Sequence, residues 1–461
     1  MDTRNQQVDT LPQFKEQKPI TRGEIAAYGM GGMGANILSM LISTYALYFM
    51  TDVADIAVSV AGLIVSLSII FDAVTDPLVA FIEDKTSGRF GRYRPYIIIG
   101  SPIAAVATIM LFSKIPAEGN AAAVYYLCAY CLYKLGYTMV SMARHGLTAT
   151  LSSDRATRNN IVTVGKLFAA PVGLMLSFAH QIVKKAGEGN EAQGWFVMTV
   201  ACSVIMVATM WISSHAAHRF DNAEISAAAS KNRKGEKLRI SDILGAVKGN
   251  KALFCLMLAY STNAFASKFV TSNQQYYAKY YLENMKFISL TGTISTVLTV
   301  PMFLLVLWLS RRIPKRNIFL YATILHLVFP VLMLCGFSHN FYVMVASMAL
   351  SKITALMCTM CMQIMMPDCV DYGYQISGVV AAGAVASVLT FTDKLVQALG
   401  SSLSTAVLDA AGYVPNVTQT TEVLTAIILL LTIPTIFSDI CSIIGMRLYP
   451  IKSVDKKKQN K

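Results

Sequence analysis

Charge is what this sequence has least of. Asp, Glu, Lys and Arg make up only 14% of its 461 residues, against roughly 25% in a soluble globular chain. Apolar residues reach 54% and the mean hydropathy is +0.51. A soluble fold is thereby excluded, and little sequence is left for a separate aqueous domain. The first 24 residues, MDTRNQQVDTLPQFKEQKPITRGE, lack the basic, apolar and small-residue order of a cleaved leader, so the first hydrophobic helix is expected to be retained. Histidine is scarce, at six. The spacings Cys128/Cys131 and Cys358/Cys361 fall in apolar runs with no histidine or further cysteine beside them, which favours packing in a reduced state over metal or redox chemistry. No selectivity sequence recurs, which disfavours a channel.

What is present is a series of apolar runs of helix-spanning length. Twelve membrane helices are predicted at 25–50, 58–83, 95–113, 123–150, 161–183, 195–214, 252–278, 287–310, 317–337, 341–366, 379–410 and 422–448. The fold class is therefore an all-α membrane protein with six helices in each half. The expected divisions are a cytoplasmic tail (1–24), an N-terminal bundle (25–214), a linker (215–251), a C-terminal bundle (252–448) and a basic tail (449–461). With both ends in the cytoplasm, 28 Lys and Arg fall in the inside segments and five in the outside loops. That asymmetry sets the orientation in a plasma membrane, and it accounts for the net charge of +13 through anionic lipid, with no need for nucleic acid. Both halves carry a short basic turn after their second helix, RFGRYRP and SRRIPKRN, as a duplicated transporter would.

The second predicted helix carries Asp72 and Asp76, four residues apart and so on one face. One carboxylate at the bilayer centre costs roughly 2.5 to 3.5 kcal/mol on insertion scales, so two require a bound cation, a proton or a basic partner. If Lys394 or Lys134 supplied that partner, the pair would be a structural ion pair. Steps of three and four collect further polar stripes: Gly32, Asn36, Ser39 and Ser43; Lys134, Thr138, Ser141 and His145; and Lys394, Gln397, Ser401 and Ser404. Turned inward, such faces suit a polyol, with Tyr28 available for ring stacking; small residues at that spacing also serve close helix packing. Basic residues outnumber acids in the interior, which favours an anionic solute. Asp72/Asp76 with Asp368/Asp371 could instead be read as the two acid pairs of an intramembrane Mg-dependent prenyltransferase.

The motifs FDAVTDP (71–77), Asp84-x-Thr86-x-x-Arg89-x-Gly91-Arg92-x-Arg94-Pro95-Tyr96, PDCVDYG (367–373) and GYVPN (412–416) resemble the glycoside, pentoside and hexuronide cation symporters, the melibiose carrier group of the major facilitator superfamily. The resemblance implies sugar transport coupled to a proton or sodium, with no other cofactor and no enzymatic activity. It assigns Asp72, Asp76 and Thr138 to the cation site. Sugar contacts fall at Asn36, Ser141, His145, Lys166 and Lys394, joined by Tyr28 and Gln397 from the stripes. Asn36 and Ser141 stand where the melibiose carrier has carboxylates, and His145 and Lys166 replace an aromatic and an arginine. A hexuronide or other acidic sugar is thus expected over a galactoside, with a non-sugar anionic solute as the alternative. A cytoplasmic gate is expected from Asp84, Arg89, Arg92 and Arg94, with Asp368 and Asp371 as its acidic partners. The remaining expected partners are membrane lipid and the small solute, and the carrier is expected to be a monomer.

Overall fold

In the computed structural model the chain is described over residues 20–86, 90–151, 155–221, 249–310, 312–377 and 382–451. Most of the predicted linker and both outer tails lie outside these residues. The first half contains α1 (Arg22–Tyr48), α2 (Val58–Lys85), α3 (Arg94–Leu111), α4 (Gly119–Thr150), α5 (Arg155–Ser177), α6 (Ala179–Ala186) and α7 (Glu191–Ala216). The second contains α8 (Lys251–Tyr276), α9 (Lys286–Ser310), α10 (Lys315–His326), α11 (Val328–Leu334), α12 (Phe341–Ser377), α13 (Ala382–Ala410) and α14 (Thr421–Leu448). Among the described residues nine spans are long and apolar enough to cross a bilayer, and α9, bent by 44° at Pro301, makes a tenth. Each of the other two predicted spans has its helix, α4 and α13, but these carry Lys134 and Arg144, and Asp393 and Lys394, in their interiors.

Three predicted elements differ in detail. The fifth and ninth each break in two. Pro330 lacks an N–H and its ring collides with the carbonyl four residues back, on His326, which is where α10 stops. At the other break the Ser177 hydroxyl donates to the Gly173 carbonyl at 2.7 Å, a back-bond that bends helices, Phe178 leaves helical geometry, and α6 starts at Ala179. The tenth runs on to Ser377, so PDCVDYG, expected as a loop, is helical.

Helix α1 begins in a capping box between Thr21 and Glu24, and Glu24 also pairs with Arg219 beyond α7 at 2.7 Å. Within the first half α3 packs on α4, and α1 on α5 and α7; within the second, α8 packs on α13 and α14, and α12 on α9 and α10. The halves meet through α2 on α13, α5 on α9 and α1 on α8. Both α1 and α8 end in a five-residue π-helical turn, Phe49–Val53 and Tyr277–Tyr281, each followed two residues later by a left-handed acid, Asp55 or Glu283. This shared irregularity marks the two halves as copies of one plan.

The α2–α13 seam depends on a missing side chain. A Cβ on Gly62 would fall on the Thr405 hydroxyl, while Ser66 beside it donates to the Ala398 carbonyl at 2.8 Å. Gly62→Val is expected to lower the thermal midpoint of the purified protein by several degrees, since overpacking typically costs about 1 to 3 kcal/mol. Thr405→Ala should restore part of that loss, since it removes the clashing hydroxyl and leaves the Thr405 Cβ at 2.6 Å; an additive double variant would show that the clash lies elsewhere.

Candidate functional site

Halfway along α2, where it faces α4 and α13, the two carboxylates expected on one face come together with three donors. Thr138 on α4 places its hydroxyl 2.9 Å from Asp72 Oδ1 and 3.0 Å from Asp76 Oδ1. Lys134, one turn earlier on α4, sits 3.3 Å from Asp72 Oδ2. Lys394, on α13 of the other half, lies 2.9 Å from that same oxygen and also contacts Asp76 Oδ2. The side chains of Asp72, Asp76, Lys134 and Lys394 keep 10, 17, 19 and 16% exposure, so the cluster is sheltered yet reachable. Two carboxylates face two ammonium groups, and the formal charge is zero.

This geometry revises two sequence expectations. The lysine pairing that was the alternative to a cation site is present, from both lysines at once. Lys394, expected at the sugar, is committed to the carboxylates, and because it crosses from one half to the other it makes their contact depend on the charge of α2.

Below the cluster a cavity of about 470 Å³ opens among α1, α4 and α5. Of the seven residues expected at the solute, Tyr28, Asn36, Ser141, His145 and Lys166 line it. Asn36, His145 and Lys166 are exposed to it. Asn36 donates to the Gly32 carbonyl at 2.8 Å, which leaves its carbonyl oxygen for a solute hydroxyl. Lys166 lies over the Phe303 ring at 5.1 Å, so the cation reaches the facing half. Gln397 is not in this wall; its amide donates to Asp393 on its own helix at 2.8 Å. Tyr28 cannot stack on a sugar as expected. It is 2% exposed, its ring lies under the Arg144 guanidinium at 5.3 Å, and its hydroxyl meets the Arg144 carbonyl and Thr148 Oγ1.

Sequence reasoning left out Tyr137, Arg144 and Thr148, which also line the cavity. Their seven- and four-residue steps along α4 form a stripe beside the one from Lys134 to His145, and that spacing was available to find them. Among the described residues the wall thus holds Arg144, His145 and Lys166 and no carboxylate. The stripe from Lys394 to Ser404 on α13 takes its packing role instead: Ser401 and Ser404 are fully buried, and Ser404 receives a hydrogen bond from Asn273 at 2.7 Å.

The expected gate is arranged differently. Asp221, just after α7, accepts from the backbone amides of Arg92, Tyr93 and Arg94 at 2.7 to 2.9 Å. Arg92 Nε donates to the Glu83 carbonyl and Arg94 Nε to the Ser214 carbonyl. Asp368 pairs with Lys315 at 2.7 Å, inside its own half. The basic turn is therefore folded onto the first half through Asp221, while Asp368, expected as one of its acidic partners, is paired with Lys315. Arg89 lies outside the described residues, as do the side chains of Asp84 and Asp371. The same separation removes the prenyltransferase alternative: one acid pair is held by Lys134 and Lys394, and Asp368 by Lys315, so no shared acid-rich cradle for a diphosphate forms from them.

The halves are instead fastened at the end of the bundle away from α1's first turn. Asp52, its carboxylate fully buried, meets Lys279 at 2.6 Å, the Tyr413 hydroxyl at 2.8 Å and the Tyr280 hydroxyl. Asn416 donates to the Asp52 carbonyl at 2.8 Å.

A family model described as MFS/sugar transport protein matches residues 27–453. Among curated proteins, the uncharacterized symporter YnaJ of Bacillus subtilis (strain 168) is 25% identical, with 96% of this chain and 94% of that one covered. A protein named glucuronide carrier protein homolog, from Escherichia coli (strain K12), is 24% identical over 87% of each chain. Among solved structures, the crystal structure of nucleoside transporter NupG superposes with a TM-score of 0.66 at 13% identity, covering 94% of this chain and all of that one.

Proposed function

The chain belongs to the major facilitator sugar-transport family, in its glycoside, pentoside and hexuronide symporter branch, and from that premise we propose that its solute is an acidic sugar, moved by coupling to a cation at Asp72/Asp76. The fold is that of a multi-pass integral membrane carrier, and the activity is secondary active symport of a sugar-like substrate. The observation that carries the finer reading is the cavity wall: Arg144, His145 and Lys166 converge with Asn36 and Ser141, and among the described residues no lining carboxylate offsets them. A carboxylate or sulfonate on the sugar would supply the missing charge, with amide and hydroxyl groups left for its ring hydroxyls. Kinship with a glucuronide carrier homolog supports the same class.

Coupling follows from the bridge between the halves. A cation or proton arriving at Asp72/Asp76 competes with Lys394 for the same oxygens, and release of Lys394 loosens α13 from α2. The halves can then rock about the solute, each ligand raising the affinity for the other. The charge asymmetry of the loops supports a plasma-membrane carrier with both termini in the cytoplasm. The Asp52 fastening then lies at the outer face, and the cavity opens inward.

Membrane vesicles containing the carrier, given radiolabelled glucuronide or a neutral glycoside under separately imposed sodium and proton gradients, provide the test. Glucuronide should rise above its external concentration under a gradient and only equilibrate without one, and the neutral glycoside should accumulate far less. Equal accumulation of both solutes removes the acidic-sugar assignment. Failure of both solutes to accumulate under every gradient removes coupled transport.

A further inference from the structure

We propose that Lys134 is a tethered cation that fills the carboxylate site in place of sodium, so that the solute-free carrier takes up no sodium ion. The inference rests on Asp72/Asp76 being the cation site, and it departs from the sodium binding that such a pair would otherwise suggest. Each carboxylate oxygen lies within reach of a donor from the chain: the single Thr138 hydroxyl is shared between Asp72 Oδ1 and Asp76 Oδ1, Lys134 and Lys394 meet Asp72 Oδ2, and Lys394 meets Asp76 Oδ2. A sodium ion entering this cluster would have to share its oxygens with two ammonium groups, and would raise the net charge from zero to plus one in a sheltered site.

The two lysines differ in what holds them. Lys394 belongs to the second half and must part from α2 whenever the halves separate there. Lys134 belongs to α4, which packs on α2 inside the first half, so it travels with the carboxylates through the cycle. It is therefore the resident counter-charge and Lys394 the exchangeable one. With a neutral side chain at 134 the cluster carries minus one, and Asp72 loses one of the two ammonium groups on Oδ2. Such a site calls for one small hard cation with oxygen-ligand preference.

Thermal unfolding of the purified full-length carrier in sodium chloride, against choline chloride and potassium chloride at the same ionic strength, reads this directly. The wild type should melt at one temperature in all three salts. Lys134→Met and Lys134→Ala should gain a saturable, sodium-specific rise of several degrees, because a ligand that binds only the folded state raises its stability. Lys134→Arg, which keeps the charge, should resemble the wild type. A saturable sodium-specific shift in the wild type overturns the proposal, whether or not the variants fold. So does its absence from both neutral variants when they melt cooperatively. The readout involves no transport, so loss of gradient-driven accumulation in the vesicle experiment would fail independently of this result.

Discussion

Asp76→Asn is expected to abolish concentrative uptake and to leave solute exchange within about tenfold of wild type, because removal of a coupling free energy of a few kcal/mol need not remove the solute site. Asp76 contributes one of the two carboxylates that hold Lys394 across the halves, and its side chain is the more exposed of the pair. The amide cannot balance the lysine, so the cluster becomes net positive and the cation that would drive the cycle is repelled. The accumulation ratio should fall to the equilibrium value of one. Asp72→Asn should do more harm. Asp72 is 7% exposed and is the shared partner of Lys134 and Lys394, and stripping one partner from a buried pair costs about 3 to 5 kcal/mol. Its variant is expected to show reduced folded yield as well as no accumulation. Uptake, exchange and size-exclusion yield measured on the same preparations separate the two roles. If Asp76→Asn accumulates solute normally, or if its transport and folded yield fall in step, the carboxylates are only a structural ion pair.

The sequence was most legible where one helix decides the answer. Asp72, Asp76 and Thr138 meet because four-residue spacing fixes a face and because two buried acids oblige a neighbouring helix to supply donors. The polar face of α4 was likewise readable, and Ser141 and His145 followed from it; Asn36 came from the stripe on α1 and Lys166 from the family resemblance. Pro330 announces the break after His326 through its own chemistry, whereas the Ser177 break depends on a rotamer that composition does not specify. Partner choice across the fold was the weak point. Asp221 lies in a polar stretch after α7 with no periodic signal, yet three consecutive amides converge on it and the basic turn closes onto its own half. Tyr28 was read as a stacking ring because aromatic faces suit sugars, but a guanidinium three helices away in sequence took that face first. Lys394 was placed at the solute for its charge, and the nearer carboxylates claimed it.

The Asp52 fastening was invisible for the same reason, since its members come from a π-helical turn after α1, another after α8, and the GYVPN segment. Asp52→Asn is expected to unfasten that end of the bundle. The carboxylate has no exposed surface and neutralises Lys279, whose side chain is 22% exposed; it also accepts from Tyr280 and Tyr413. Its loss strands a half-buried ammonium, at a cost of about 3 to 5 kcal/mol for a buried pair. Hydrogen exchange should quicken in the segments 276–282 and 412–416, and the thermal midpoint should fall. Adding Lys279→Met should recover part of the midpoint, because the orphaned charge goes with it. The contrast that isolates burial is already in the chain. Lys114 and Asp55 meet at the same 2.6 Å, but their side chains are 47 and 59% exposed and both belong to the first half. Asp55→Asn should therefore change the midpoint by less than about 1 kcal/mol equivalent. If the two substitutions prove equally mild, the distal contacts are incidental to keeping the halves together and the fastening must be sought along α2 and α13.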